Sequence, residues 1–66
     1  MQISINGKAE TIEARTVSDV LKMKDIDPQL VAVELNTEVV EREHMPTTTV
    51  KDGDKLEFLF YMGGGQ

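Results

Sequence analysis

The sequence predicts an α+β fold: a mixed β-sheet with one short α-helix packed across one face. Three observations carry that prediction. Asn6-Gly7, the pair best suited to the positive φ angles of a two-residue hairpin turn, follows an alternating stretch with Ile3 and Ile5. Val17, Val20 and Leu21 then change the apolar period from two to that of a helix. The last segment, KLEFLFYM, returns to alternation and is the most apolar stretch of the chain.

Taken in order, Gln2 to Asn6 and Lys8 to Ile12 read as paired strands around the Asn6-Gly7 turn. Thr16 is placed to cap the helix, with Asp19 three residues later at the positive end of the helix dipole. Only about two turns, at ~3.6 residues each, fit before DIDP. There Pro28, which lacks an amide hydrogen and biases Asp27 away from helical angles, is expected to end the helix.

LVAVEL reads as a strand with Val31, Val33 and Leu35 on one face and Ala32 and Glu34 on the other. A second hairpin at Asn36-Thr37 and a short return strand, Glu38 to Val40, follow. EREHMPTTT is an irregular crossing that delivers Val50 to the core. KDGDK is a tight turn in which glycine supplies the angles and Asp52 and Asp54 support the bend, a better account of the two carboxylates than acid–base catalysis.

In the final strand Leu56, Phe58 and Phe60 alternate with Glu57, Leu59 and Tyr61. Bulky residues on both faces place this strand centrally in the sheet. One set packs under the helix, and Leu59 and Tyr61 are expected on the other face as a partner-docking surface that leads into the chain's end. Met23 and Met45 are expected to fill gaps in the core, and Met62 to mark the exit of the strand. The order strand-strand-helix-strand-strand-strand is the β-grasp, or ubiquitin-like, arrangement. Residues 1–62 form that domain, and residues 63–66 are a flexible glycine tail.

Composition narrows the function. With 66 residues the chain is one domain with a small core, and a monomer is expected. It has no cysteine, so it offers no disulfide, no thiol nucleophile and no cysteine-based metal site. His44, the only histidine, reads as a solvated surface residue beside Glu41 and Glu43, and no metal is expected. Twelve acidic against seven basic residues, a formal charge of −5, oppose binding to nucleic acid or anionic membrane and favour a partner with a basic docking face. No apolar run approaches the ~20 residues of a membrane span and the start lacks an export pattern, so a soluble, cytoplasmic protein is expected. MGGGQ lacks the helix and lysine of a phosphate-binding loop.

The motifs INGK, TVSDVL, VAVELNTEVV, VKDGDKLEFL and the terminal glycines, in this order over nearly the whole chain, resemble the small ubiquitin-related sulfur carriers, in particular the ThiS family. The related molybdopterin carriers are less similar, being longer with a more extended helical segment. The resemblance implies a protein cosubstrate rather than an enzyme, acting in thiamine thiazole formation. In the family the last glycine of a Gly-Gly end is adenylated and converted to a thiocarboxylate, which maps onto Gly65, with Gly63 and Gly64 before it.

The implied partners are a ThiF-like adenylating enzyme, a persulfide sulfur donor and thiazole synthase. ATP and magnesium belong to the activating enzyme, and this chain binds no cofactor itself. Gln66 departs from the pattern, since activation at Gly65 first requires hydrolysis of the Gly65-Gln66 bond. Some relatives are trimmed by a metal-dependent peptidase, which implies a precursor here. The alternatives are a carrier for methionine, homocysteine or molybdopterin synthesis, a ubiquitin-like modifier joined through Gly65, and an interaction module with an inert tail.

Overall fold

The structure, a computed structural model, describes residues 1–61. Five strands, β1 (Gln2–Ile5), β2 (Lys8–Thr11), β3 (Val31–Leu35), β4 (Glu38–Val40) and β5 (Lys55–Phe60), form one sheet in the order β2-β1-β5-β3-β4. β1 runs parallel to β5, and the other neighbours are antiparallel. One helix, α1 (Val17–Met23), lies between β2 and β3 in sequence. This is the β-grasp arrangement, and β5 is the central strand.

Both hairpins close through two-residue turns in which each residue has positive φ, at 50° and 83° for Asn6-Gly7 and 51° and 75° for Asn36-Thr37. Those angles match the twist of the strands they join. Thr37 is β-branched and holds an angle that suits glycine far better.

A capping box starts α1. Thr16 Oγ1 accepts from the Asp19 amide, and Asp19 Oδ2 accepts from the Thr16 amide, each at 3.2 Å. Val17, Val20 and Leu21 are its buried stripe, facing Ile3, Ile5, Val33, Leu56 and Phe58 in one core. The crossing from β4 to β5 straps the helix start through Val17 N to Thr48 O and Val50 N to Arg15 O, both 2.9 Å. It buries Met45 and Val50, as the sequence leads one to expect for both.

Three expectations require correction. Proline does not end α1. Asp25 does, turning to φ 59° while its amide donates to Lys22 O and the Ile26 amide to Leu21 O, the paired bonds of a Schellman closure. Pro28 instead opens a short 3-10 turn, Pro28–Leu30, capped by Asp27, whose Oδ1 accepts from the Gln29 amide. Met23 is exposed rather than core-filling, because the stripe of Val17, Val20 and Leu21 continues at Lys24 and leaves position 23 on its flank. Phe60 shares the inner face with Phe58 yet is 55% exposed. It sits opposite Val31 at the end of the sheet, and β1, whose pairing with β5 stops at Ile5↔Leu56, leaves its other side open.

Candidate docking face and the strand that leads to the tail

Cross-strand register decides what the outer face of the sheet presents. Side chains directly opposite one another in a ladder share a face. Ala32↔Leu59 and Glu34↔Glu57 between β3 and β5, with Glu34↔Val39 between β3 and β4, therefore put Ala32, Glu34, Val39, Glu57 and Leu59 on the face away from α1. Tyr61 continues the alternation two residues beyond Leu59, and its amide donates to Leu30 O at 3.0 Å. Leu59 and Tyr61 are 54% and 59% exposed, so the structure brings this sequence-predicted pair together on the solvent side.

Sequence reasoning missed the rest of that strip. Val39 is exposed, and Ala32 is half-buried between the strands that carry Val39 and Leu59. The period of β3 already put Ala32 on the outer face, but the three-residue β4 was too short to reveal which of Val39 and Val40 points inward. A shallow cleft of about 270 Å³ opens between Tyr61 and Val39 to Arg42 at the β4 edge.

Charge frames the apolar strip. Glu34 and Glu57 face each other directly, an arrangement that costs stability in a ladder. Among the described residues the ion pairs are the Met1 amino group with Glu13 and Lys24 with Glu10, and His44 Nε2 lies 3.7 Å from Glu43, so neither Glu34 nor Glu57 has a cation within pairing distance. His44 is exposed, as a surface residue should be. No group of three metal-ligating side chains occurs among the described residues, and no helix there is long and apolar enough to cross a membrane.

Three carboxylates have structural work elsewhere. Asp54 is the one buried charged residue among the described residues, and its oxygens accept from the Lys51 amide at 2.8 Å and from Asn36 Nδ2 at 3.0 Å. Asp52 accepts from the Gln2 amide at 2.7 Å, tying the KDGD turn to β1. At the helix start, backbone donation from Arg15 and then Thr16 holds the Asp19 carboxyl below its usual pKa. Met62, Gly63, Gly64, Gly65 and Gln66, which include the predicted reacting residue, lie outside the described residues.

A central strand that carries an exposed apolar strip and runs toward a run of glycines, on a β-grasp body, defines a ubiquitin-like protein. Comparison with known proteins narrows this. The chain belongs to the ThiS family, which it matches over residues 3–65.

Its fold superposes on the crystal structure of the thiamine biosynthesis protein ThiS from Geobacter metallireducens with a TM-score of 0.85, at 45% identity, covering 98% of this chain and 100% of that one. A sulfur carrier protein ThiS from Thermus thermophilus is 33% identical over 92% of this chain and 95% of its own. Thiazole synthases from Paramagnetospirillum magneticum and Magnetococcus marinus contain a region 39% and 36% identical to it. The chain spans 98% and 100% of itself in those matches but only 20% and 21% of the synthases.

Proposed function

We propose that this chain is a sulfur carrier of thiamine biosynthesis, a protein cosubstrate whose Gly65 carboxyl group is activated and loaded with sulfur for thiazole synthase. The observation that carries the reading is the family match running from the β-grasp body through Gly65, with Gln66 beyond it. The similarity to a region of two thiazole synthases supports that enzyme as the sulfur acceptor.

The chemistry follows from what the chain has and lacks. With no cysteine, sulfur must come to it from outside. A C-terminal carboxylate is a poor electrophile until an oxygen attacks the α-phosphate of ATP and displaces pyrophosphate. The acyl adenylate then accepts a persulfide sulfur and loses AMP, and a thiol that breaks the acyl disulfide leaves the terminal thiocarboxylate. Glycines allow such an end to enter a narrow site, because they have no side chain to collide with its walls. Hydrolysis of the Gly65-Gln66 bond, the work of a metal-dependent peptidase in this reading, precedes activation.

Leu59 and Tyr61 dock on the ThiF-like adenylating enzyme and on thiazole synthase, with Ala32 and Val39 extending the contact. Glu34 and Glu57 at its border favour basic groups on the partner. Two variants test the assignment in an assay of ATP–pyrophosphate exchange and sulfur loading. Removal of residues 64–66 abolishes both with the fold intact, and Leu59→Asp raises the KM for the carrier about tenfold or more with little change in folding. Full activity of the shortened chain contradicts the carrier reading.

A further inference from the structure

An asparagine followed by glycine carries its own reaction partner. The next amide nitrogen is one bond short of closing a five-membered ring on the side-chain carbonyl carbon, and glycine has no side chain to shield it. Asn6-Gly7 is the only such pair in this chain. Both residues are exposed, a β-carbon on Gly7 would meet open space, and the Gly7 amide has no acceptor among the described residues. The nucleophile is bare, and the electrophile is what the fold holds.

The hold comes from β5. The Phe58 amide donates to Asn6 Oδ1 at 2.7 Å, and Asn6 Nδ2 donates to the Phe58 carbonyl oxygen at 3.3 Å. Both ends of the carboxamide are thereby tied to one backbone residue 52 positions away. The turn adds a second restraint, because φ of 50° at Asn6 and 83° at Gly7 keep the backbone in a primed turn. Ring closure requires the side chain to leave Phe58 and the Asn6-Gly7 peptide to rotate. Asn36 provides a comparison within the same molecule. It accepts from the Lys55 amide at 2.9 Å and donates to Asp54 Oδ1 at 3.0 Å, but the next residue is Thr37, whose branched β-carbon crowds the amide nitrogen.

We propose that Asn6 is a latent deamidation site, kept closed by its two bonds to Phe58 and reactive when β5 parts from the first hairpin. In the open form the Gly7 nitrogen loses its proton to solvent base and attacks Asn6 Cγ. The new C–N bond closes a succinimide, the Cγ–Nδ2 bond breaks, and ammonia leaves with a proton from solvent. Water then opens the ring at either carbonyl and leaves aspartate or isoaspartate at position 6. One water is consumed, one ammonia is released, and nothing is oxidised or reduced. Either product is a carboxylate, which accepts hydrogen bonds but has no N–H to donate to the Phe58 carbonyl. The modified chain therefore closes less firmly on β5 and adds one negative charge to a formal charge of −5. Isoaspartate also lengthens the backbone by one carbon, which a two-residue turn does not accommodate. Nothing in this step depends on the carrier role.

The test incubates the full chain in mildly alkaline buffer without urea, with urea below the unfolding midpoint, and with urea above it. Trypsin then releases residues 1–8 and 25–42, which hold Asn6 and Asn36 separately. Mass spectrometry follows the exchange of NH for O in each peptide, and hydrogen exchange at the Phe58 amide is measured in the two buffers that keep the chain folded. Asn6 is expected to react about tenfold or more slowly in the folded chain than in the unfolded one, at a rate that rises in step with Phe58 exchange as urea is added. Asn36 is expected to stay slow throughout. Equal rates at Asn6 in the folded and unfolded chain overturn the proposal, as does an Asn6 rate that stays flat while Phe58 exchange quickens. An Asn6 that stays intact in the unfolded chain, or reacts there no faster than Asn36, overturns it as well.

Discussion

Asp19 lies on the surface, yet its carboxylate accepts from the amides of both Arg15 and Thr16 and closes the cap of α1. Its pKa is lowered in the folded chain, by the Arg15 amide first and the Thr16 amide second. A depressed carboxylate contributes stability that is fully present above its unfolded value, about 3.9 for aspartate, and lost as pH falls through the folded one. Thermal melts over the acid range should therefore show a loss of stability below about pH 4 that is shallower in Asp19→Asn, which removes the titrating group. Equal acid dependence in both proteins would assign the loss to other carboxylates. Asn6 belongs to the same scale but was legible only as a turn former. The Asn-Gly pair announces its φ angles, whereas the bond to Phe58 joins positions 52 apart and exists only once β5 lies beside β1.

At the scale of elements, most boundaries follow from local chemistry. The capping box, both hairpins and the KDGD turn form where their residues require them. What the sequence hid depended on neighbours. Pro28 reads locally as a stop, but Asp25 and Ile26 have already closed the helix through bonds to Lys22 and Leu21. Phe60 has the right period for the core and lacks a strand on one side to cover it. The face presented by Leu59 and Tyr61 was legible from alternation alone, because no bulge interrupts β5. Leu21 tests how far the helix and sheet depend on each other. It is 2% exposed at the centre of the shared core, and Leu21→Ala should cost about 2–5 kcal/mol, read as a lower urea midpoint. In a chain of this size that is a large part of the about 3–10 kcal/mol available. A loss below about 1 kcal/mol would mean that α1 packs more loosely than the burial indicates.

Over the whole molecule, the fold separates the core from the proposed docking face. The core lies between α1 and the inner face of the sheet, and the exposed strip lies on the other face beside two carboxylates that oppose one another across the ladder. Replacing Leu59 therefore removes little buried area, so the proposed docking role can be tested without disturbing the fold. In the proposed carrier role the same division lets a domain without cysteine serve sulfur chemistry: the body docks, and the reacting carboxyl group is that of Gly65 once Gln66 is removed. The most direct test is the intact mass of the protein recovered from its native cells, with reducing agents excluded so that sulfur adducts persist. The carrier account predicts a species that has lost one glutamine residue and exchanged one terminal oxygen for sulfur, with fragmentation placing the change at Gly65. A protein that stays unmodified and ends in Gln66, in cells actively making thiamine, would contradict it.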